Sequence, residues 1–251
     1  MTQGFLPEFT DMSRANRHGR NPFEGYQRGS GLKFRGLAEK VMGEPDFQEA
    51  FALAQSRSIV GGTRLINLYL LIRFYLPRLE HGHIIEFGSY RAGSAMMMAN
   101  LAARYLPGVQ VYALDTYAGM PQTDKAIDGH NAGDFADTDY EEVLNAKVAA
   151  GLDNLHLVRG LFADTTPGVL AECMTIALAH IDCDIYQPAL EAWRAVKPVM
   201  VPGGYVVFDD ATEASCLGAT EAVEEIIHAE NLRSEQIDPH FVFRYPPLPS
   251  E

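Results

Sequence analysis

The sequence predicts an α/β fold of the Rossmann type, a mostly parallel seven-stranded sheet with helices on both faces and an N-terminal helical extension. Three observations predict it. From residue 81 onward, short apolar runs alternate with segments of helical periodicity. One alternation, HIIEFGSYRAGSAMMMANLAARYLPGVQVYALD from His83 to Asp115, reads as a complete β-α-β unit with a small-residue turn after its first strand. Two further apolar runs end in acid pairs, Asp182 with Asp184 and Asp209 with Asp210.

Residues 1–31 hold five glycines, Pro7 and Pro22, and show no period that a packed element would need, so they read as a loop or mobile arm. Residues 32–80 read as a helical lid or oligomerisation segment: Leu37, Val41, Phe47, Phe51 and Ala54 recur at helical spacing, and Arg57 to Leu76 reads as a second helix stopped by Pro77. The catalytic domain is placed at 81–251. Its strands are expected at His83–Phe87, Val109–Leu114, Leu155–Arg159, Thr175–Ile181, Tyr205–Phe208, Arg233–Ile237 and His240–Arg244, the last two as a closing pair. Helices are expected at Ala95–Tyr105, at Tyr140–Ala150 capped by Asp139 or Thr138, after Pro188, and from about Cys216 to Ala229. Pro202, Gly203 and Gly204 read as a turn. The polar stretch from Thr116 to Val143 is long for a loop inside a domain, as lids and binding segments are.

A length of 251 residues, 47% of them hydrophobic, is enough for one large core. The net charge of −13 argues against nucleic acid or an anionic membrane surface as the main partner and leaves a small neutral or basic molecule open. The apolar run Leu65–Leu76 is interrupted by Arg73 and too short to span a bilayer. No secretion signal is apparent, and three unevenly spaced cysteines form no metal or redox pattern, so the expected compartment is the cytoplasm. That same apolar run exceeds what a short lobe can bury, which predicts a homo-oligomer.

In the β-α-β unit, Gly88 and Gly93 let backbone approach a ligand, the following helix offers unpaired N–H groups, and Asp115 is placed for a ribose hydroxyl pair. The spacing is wrong for the dinucleotide fingerprint G-x-G-x-x-G. Glu86, just before the turn, would repel a pyrophosphate and suits a cofactor with a cationic amino-acid end, which points to S-adenosylmethionine. A βα turn with glycines only for close packing is the alternative. Residues 160–165, including Asp164, are where the chain would pass an adenine, or form an ordinary helix cap.

The four acids fall at the carboxyl edge where open α/β sheets bind ligands. Crowded carboxylates repel and raise one another's pKa, so the cluster asks for a cation, and oxygen ligands favour Mg²⁺. In the competing reading Asp182 and Asp209 cap loops while Asp184 and Asp210 face solvent.

Taken together, IEFGSYRAGS, LDTYAGMP, IDCDIYQPALEAW and PGGYVVFDD resemble the macrocin O-methyltransferase family, and the resemblance spans about residues 60 to 245. It implies a class I methyltransferase-like fold and metal-dependent methyl transfer from S-adenosylmethionine to a hydroxyl of a sugar or glycosylated natural product in antibiotic biosynthesis. It further implies Mg²⁺ on Asp182, Asp209 and Asp210, Asp184 as general base, and a cofactor pocket lined by Glu86, Gly88, Ser94 and Asp115, to which the neighbouring Ser89 and Thr116 are added. Cephalosporin hydroxylase-like sequences share the core, so oxidation is an alternative, as is a non-catalytic cofactor-binding role. His130, in the long loop, is a second catalytic candidate or a surface polar group. His180, inside a buried strand, reads as a hydrogen-bonded residue behind the site, and Trp193 as core.

Overall fold

The computed structural model describes residues 35–246 apart from 214, 233 and 238. The arm expected at 1–31 lies outside the described residues. Three short helices come first: α1 (Arg35–Met42), α2 (Pro45–Ala54), with Pro45 in its first turn, and α3 (Gly62–Leu70). The winding of α3 widens over Leu71–Tyr75 and tightens at Leu76–Arg78, where Pro77 removes a donor and ends it. The helix expected from Arg57 therefore begins five residues later. Gly61 and Gly62 are poor helix formers, and the backbone at Arg57 and Ser58 instead lies against the start of the helix that begins at Gly93.

The sheet contains β1 (His83–Phe87), β2 (Val111–Asp115), β3 (Leu155–Arg159), β4 (Ile176–Ile181), β5 (Met200–Phe208) and β6 (Phe241–Tyr245). Their order is β3-β2-β1-β4-β5-β6, all parallel except β6, which runs antiparallel to β5. The β-α-β unit and the alternation are thus as expected, with α4 (Gly93–Tyr105), α5 (Tyr140–Ala149), α6 (Phe162–Cys173), α7 (Tyr186–Val196) and α8 (Leu217–Glu230) between strands. Asp139 caps α5 by accepting from Glu142 N at 2.9 Å.

Two details depart from expectation. Among the described residues the sheet has six strands: 234–237, where Ile237 alone packs against the core beside Ser234, Glu235 and Gln236, contributes a bridge between Gln236 and Val242. The turn expected at Pro202–Gly204 lies within β5, as a bulge where the pairing slips from Ile176 with Met200 to Leu178 with Tyr205.

One face of the sheet packs against α4, α5 and the N-terminal helices, the other against α6, α7 and α8. Phe47 of α2 and Tyr69 of α3 are fully buried and meet edge to face at 5.3 Å. Leu65, Ile66, Leu68, Leu71, Ile72 and Leu76 enter the same core, so the surface that predicted a homo-oligomer is largely inside the protomer. Phe74 and Tyr75 remain 45% and 48% exposed.

Register places the site. Phe87 pairs with Leu114 on one side and Ile181 on the other, and Ile181 pairs with Phe208. The residues just beyond, Gly88, Asp115, Asp182 and Asp209, therefore share one edge of the sheet. The chain reverses its direction of winding between β1 and β4, which opens a crevice there.

Candidate active site

The crevice holds a cavity of about 360 Å³, within the range of small-molecule sites. Gly88 and Ser89 from the β1–α4 turn, Ser94 in the first turn of α4, Asp115 at the end of β2 with Thr116 beyond it, and Asp182 and Asp184 after β4 line it. At Gly88 φ is +84°, and a Cβ would stand 1.7 Å from the Asp182 carbonyl oxygen, so only glycine fits. Asp115 fixes the turn: Oδ2 accepts from Ser89 N and Tyr90 N, each at 2.8 Å, and Oδ1 from Tyr117 N at 2.7 Å. Thr116 shapes the next bend, its Oγ1 donating to Gly119 O at 2.6 Å. A glycine cradle, an acid at its rim and apolar walls fit a nucleoside cofactor with a charged tail.

Two expected cofactor contacts are elsewhere. Glu86 is fully buried and does not line the cavity; it lies beside His180 in the sheet, and its Oε1 meets His180 Nδ1 at 2.9 Å. Asp164 is exposed in the first turn of α6 and also outside the cavity wall, which here is formed by Leu161, Phe162 and Ala163.

Carboxylate oxygens of Asp182, Asp209 and Asp210 lie within 4.8 Å of one another. Burial, reinforced by the neighbouring carboxylates, holds Asp182 and Asp210 well above the usual carboxylate range. Asp209 goes the other way: burial opposes its charge, but His180 and His240, which face it, outweigh that and hold it far below. Its Oδ1 is 2.6 Å from His240 Nε2 and 3.4 Å from His180 Nε2, the latter an ion-pair contact without hydrogen-bond geometry. His240 Nδ1 accepts from Asn67 Nδ2 at 3.1 Å, so the neutral ring donates through Nε2, consistent with burial lowering its pKa to about 4. In His180 burial is overcome by Asp209 and Glu86, which raise it to about 9. Three crowded oxygen donors, two of them costly to ionise, fit a hard divalent cation such as Mg²⁺.

Asp184, at positive φ, turns back into the crevice, and its amide donates to Asp210 Oδ2 at 2.9 Å. Its carboxyl is raised by burial, partly offset by a hydrogen bond from Cys216 and by His130. His130 Nε2 is 3.8 Å from Asp184 Oδ1, so the two catalytic candidates do meet. The loop bearing His130 is pinned: Asp128 accepts from Asp124 N and Tyr186 N, each at 2.8 Å, and Asp137 pairs with Arg91 at 2.8 Å.

Several site residues have no sequence signal. Arg64 of α3 reaches Asp209 Oδ2 with Nη1 at 2.5 Å and also contacts Glu213 and the Pro239 carbonyl. Ser58, Ile59 and Val60 line the cavity because Gly93 has no side chain; a Cβ there would stand 2.6 Å from Ser58 N. The N-terminal extension therefore contributes to the cavity wall, and the Gly61–Gly62 pair is the one hint of it in the sequence. Cys216, N-terminal to α8, faces Asp184.

The macrocin O-methyltransferase (TylF) family model matches residues 48–243. A tetracenomycin C 4′-O-methyltransferase acting on an 8-demethyl-8-(2,3-dimethoxy-α-L-rhamnosyl) form, from Streptomyces olivaceus, is 29% identical over 174 residues, 65% of this chain and 66% of that protein. The demethyldecarbamoylnovobiocin O-methyltransferase of Streptomyces niveus is 26% identical over 68% of each chain. Among solved structures, the calicheamicin methyltransferase CalS11 is 21% identical with a TM-score of 0.65, covering 88% of this chain and 99% of that one. At that identity the likeness establishes a shared fold. No helix among the described residues is long and apolar enough to cross a membrane.

Proposed function

The chain belongs to the macrocin O-methyltransferase family of S-adenosylmethionine-dependent O-methyltransferases, and from that premise we propose that it methylates a hydroxyl of a sugar or other small natural-product intermediate bound beside a divalent ion. One observation carries the reading: Asp184 lines the same cavity as Asp115 and Ser89 while its amide is tied to the acid cluster through Asp210. Bound there, S-adenosylmethionine would supply an electrophilic methyl group, and Asp182, Asp209 and Asp210 would hold a Mg²⁺ ion whose charge would make an alcohol easier to deprotonate.

The chain's own residues do the rest. Asp115 holds the β1–α4 turn and presents an acceptor to the cofactor ribose. Asp184 takes the acceptor proton, and its upward-shifted pKa makes it a stronger base than an ordinary carboxylate. His130, braced by Asp134 at 3.3 Å, stands where it can stabilise the protonated base. Ile59, Phe135 and Phe162 are among the apolar walls that exclude water. The glycosylated substrate named for the Streptomyces olivaceus relative supports a hydroxylated small molecule as the partner. Phe74 and Tyr75 supply the apolar surface on which a homo-oligomer would draw.

Methyl transfer to a panel of deoxysugar glycosides and catechols, assayed with EDTA and with Mg²⁺ restored, tests the reading. Activity on at least one glycoside that EDTA removes and Mg²⁺ returns is expected, with Asp184→Asn inactive yet still binding S-adenosylhomocysteine. Full activity in Asp184→Asn would move the base elsewhere, first to His130.

A further inference from the structure

The geometry points to a second metal site, of different chemistry, in which His130 Nε2, Asp184 Oδ1 and Cys216 Sγ bind a thiophilic divalent cation, Zn²⁺ foremost. The three atoms form a small triangle: Sγ to Oδ1 is 3.3 Å, Sγ to Nε2 is 3.7 Å and Nε2 to Oδ1 is 3.8 Å. Zinc bonds of about 2.0–2.3 Å at a tetrahedral centre put neighbouring donors roughly 3.3–3.6 Å apart. The observed triangle needs only a few tenths of an ångström of adjustment.

Each donor is already oriented from behind. His130 Nδ1 faces Asp134 Oδ2 at 3.3 Å, the carboxylate–histidine arrangement that turns the other ring nitrogen toward a metal. Asp184 is fixed through its amide by Asp210, and Cys216 precedes α8, where Ser215 Oγ lies 3.5 Å from its sulfur. The surroundings also suit occupancy. Cys216 is buried, but His130 and Asp184 keep 19% and 18% of their side chains exposed, and Asp184 lines the cavity, which gives an ion a way in. When the cation displaces the thiol proton to solvent, one thiolate and one carboxylate balance its two charges, and neutral imidazole completes three ligands with a fourth position open to water.

Ligand softness separates this site from the acid cluster. Asp182, Asp209 and Asp210 offer only oxygen, which favours Mg²⁺, whereas sulfur and imidazole favour Zn²⁺. The other candidate trio, His180, Asp209 and His240, shares Asp209 with the acid cluster, and His240 Nε2 already carries a proton that it donates to Asp209 Oδ1. Because Asp184 belongs to the new site, Zn²⁺ there would withdraw the base; this consequence rests on the function proposed above, while the site itself does not.

The test uses the whole protein in saturating Mg²⁺, titrated with Co²⁺ as a spectroscopic stand-in for Zn²⁺. One equivalent should develop thiolate-to-cobalt absorption in the near ultraviolet with intense tetrahedral bands in the visible, and Zn²⁺ should bleach both. Cys216→Ser should lose the near-ultraviolet absorption, and Cys183→Ser and Cys173→Ser should keep it. Asp134→Ala, which removes no ligand, should weaken affinity about 10- to 100-fold. If Cys216→Ser proves misfolded by circular dichroism, His130→Gln takes its place, with at least a roughly tenfold loss of affinity expected. No thiolate absorption in the parent, or its loss in Cys183→Ser with retention in Cys216→Ser, would overturn the site. Methyl transfer without a cobalt signal likewise overturns the site and leaves the proposed function standing; a cobalt signal without methyl transfer does the reverse.

Discussion

Arg64 Nη1 lies 2.5 Å from Asp209 Oδ2, so a helix of the N-terminal extension supplies a permanent cation to the edge of the acid cluster. The pair is well shielded, with side-chain exposures of 14% for Arg64 and 3% for Asp209. Breaking a buried pair costs about 3–5 kcal/mol, and the two histidines that still face Asp209 put this one at the low end. Arg64→Met should therefore lower stability by about 3 kcal/mol in urea denaturation, whereas Arg57→Met, whose pair with the exposed Glu142 spans 3.5 Å, should cost less than about 1 kcal/mol. Equal effects would mean that Arg64 is no better coupled than a surface residue.

Asp115 accepts three backbone hydrogen bonds, from Ser89, Tyr90 and Tyr117. In Asp115→Asn the amide NH₂ replaces one acceptor and must face an N–H group. Hydrogen bonds to a charged acceptor contribute about 1.5–3 kcal/mol each. Affinity for S-adenosylhomocysteine should fall at least about tenfold by calorimetry, while the far-ultraviolet circular dichroism of the rest of the fold stays as in the parent.

The parts of this molecule legible in the sequence are those governed by strand phase. Asp182 and Asp184 share a phase across Cys183, and both reach the cavity; Asp209 and Asp210 converge because the chain turns right after Phe208. His180 and Trp193 also lie where their neighbours in sequence place them, the one against Glu86, the other in the core. Glu86 departs from expectation because the strand's phase tells which face a side chain takes, not what fills that face. Its place is settled by pairing with His180, 94 residues away. Arg64 and Asp209 are 145 residues apart, and Cys216 and His130 are 86 apart. Neither pairing leaves a local pattern, since only the packing of α3 and the long loop onto the sheet edge creates it.

Gly93 lets the backbone at Arg57 and Ser58 cross the start of α4, with an added Cβ only 2.6 Å from Ser58 N. Backbone is the obstacle, so no side-chain rotation relieves it. Gly93→Ala should push residues 57–60 off the cavity and weaken S-adenosylhomocysteine binding, each 1.4 kcal/mol of reduced binding free energy being about tenfold in affinity. Proteolysis should then cut first between Arg57 and Gly61. A variant that binds and resists protease as the parent does would show that the segment is not needed to wall the site.

The acid cluster makes the effect of Mg²⁺ on stability depend on pH in a fixed direction. Burial, then the neighbouring carboxylates, raise Asp182 and Asp210, so above the ordinary carboxylate pKa of about 3.9 these two groups hold more protons in the folded, metal-free protein than in the unfolded chain. Their contribution to stability therefore falls as pH rises through that window, while His240, lowered to about 4, contributes the opposite slope up to about pH 6.5. His180, raised to about 9, adds a slope of the same sign as the two acids: its contribution is complete below about pH 6.5 and is lost as pH passes through about 9. Mg²⁺ competes with protons at Asp182 and Asp210, whereas Asp209, held low by His180 and His240 against its burial, is anionic throughout. The melting temperature should thus rise more on adding Mg²⁺ near pH 8 than near pH 5.5. At a concentration about 100 times the dissociation constant the gain is about 2.7 kcal/mol, on the order of 5–10 °C for a chain of this length. Asp210→Asn should flatten the pH dependence and remove most of the Mg²⁺ shift; a Mg²⁺ shift as large in acid as in base would mean that these carboxylates do not share the ion.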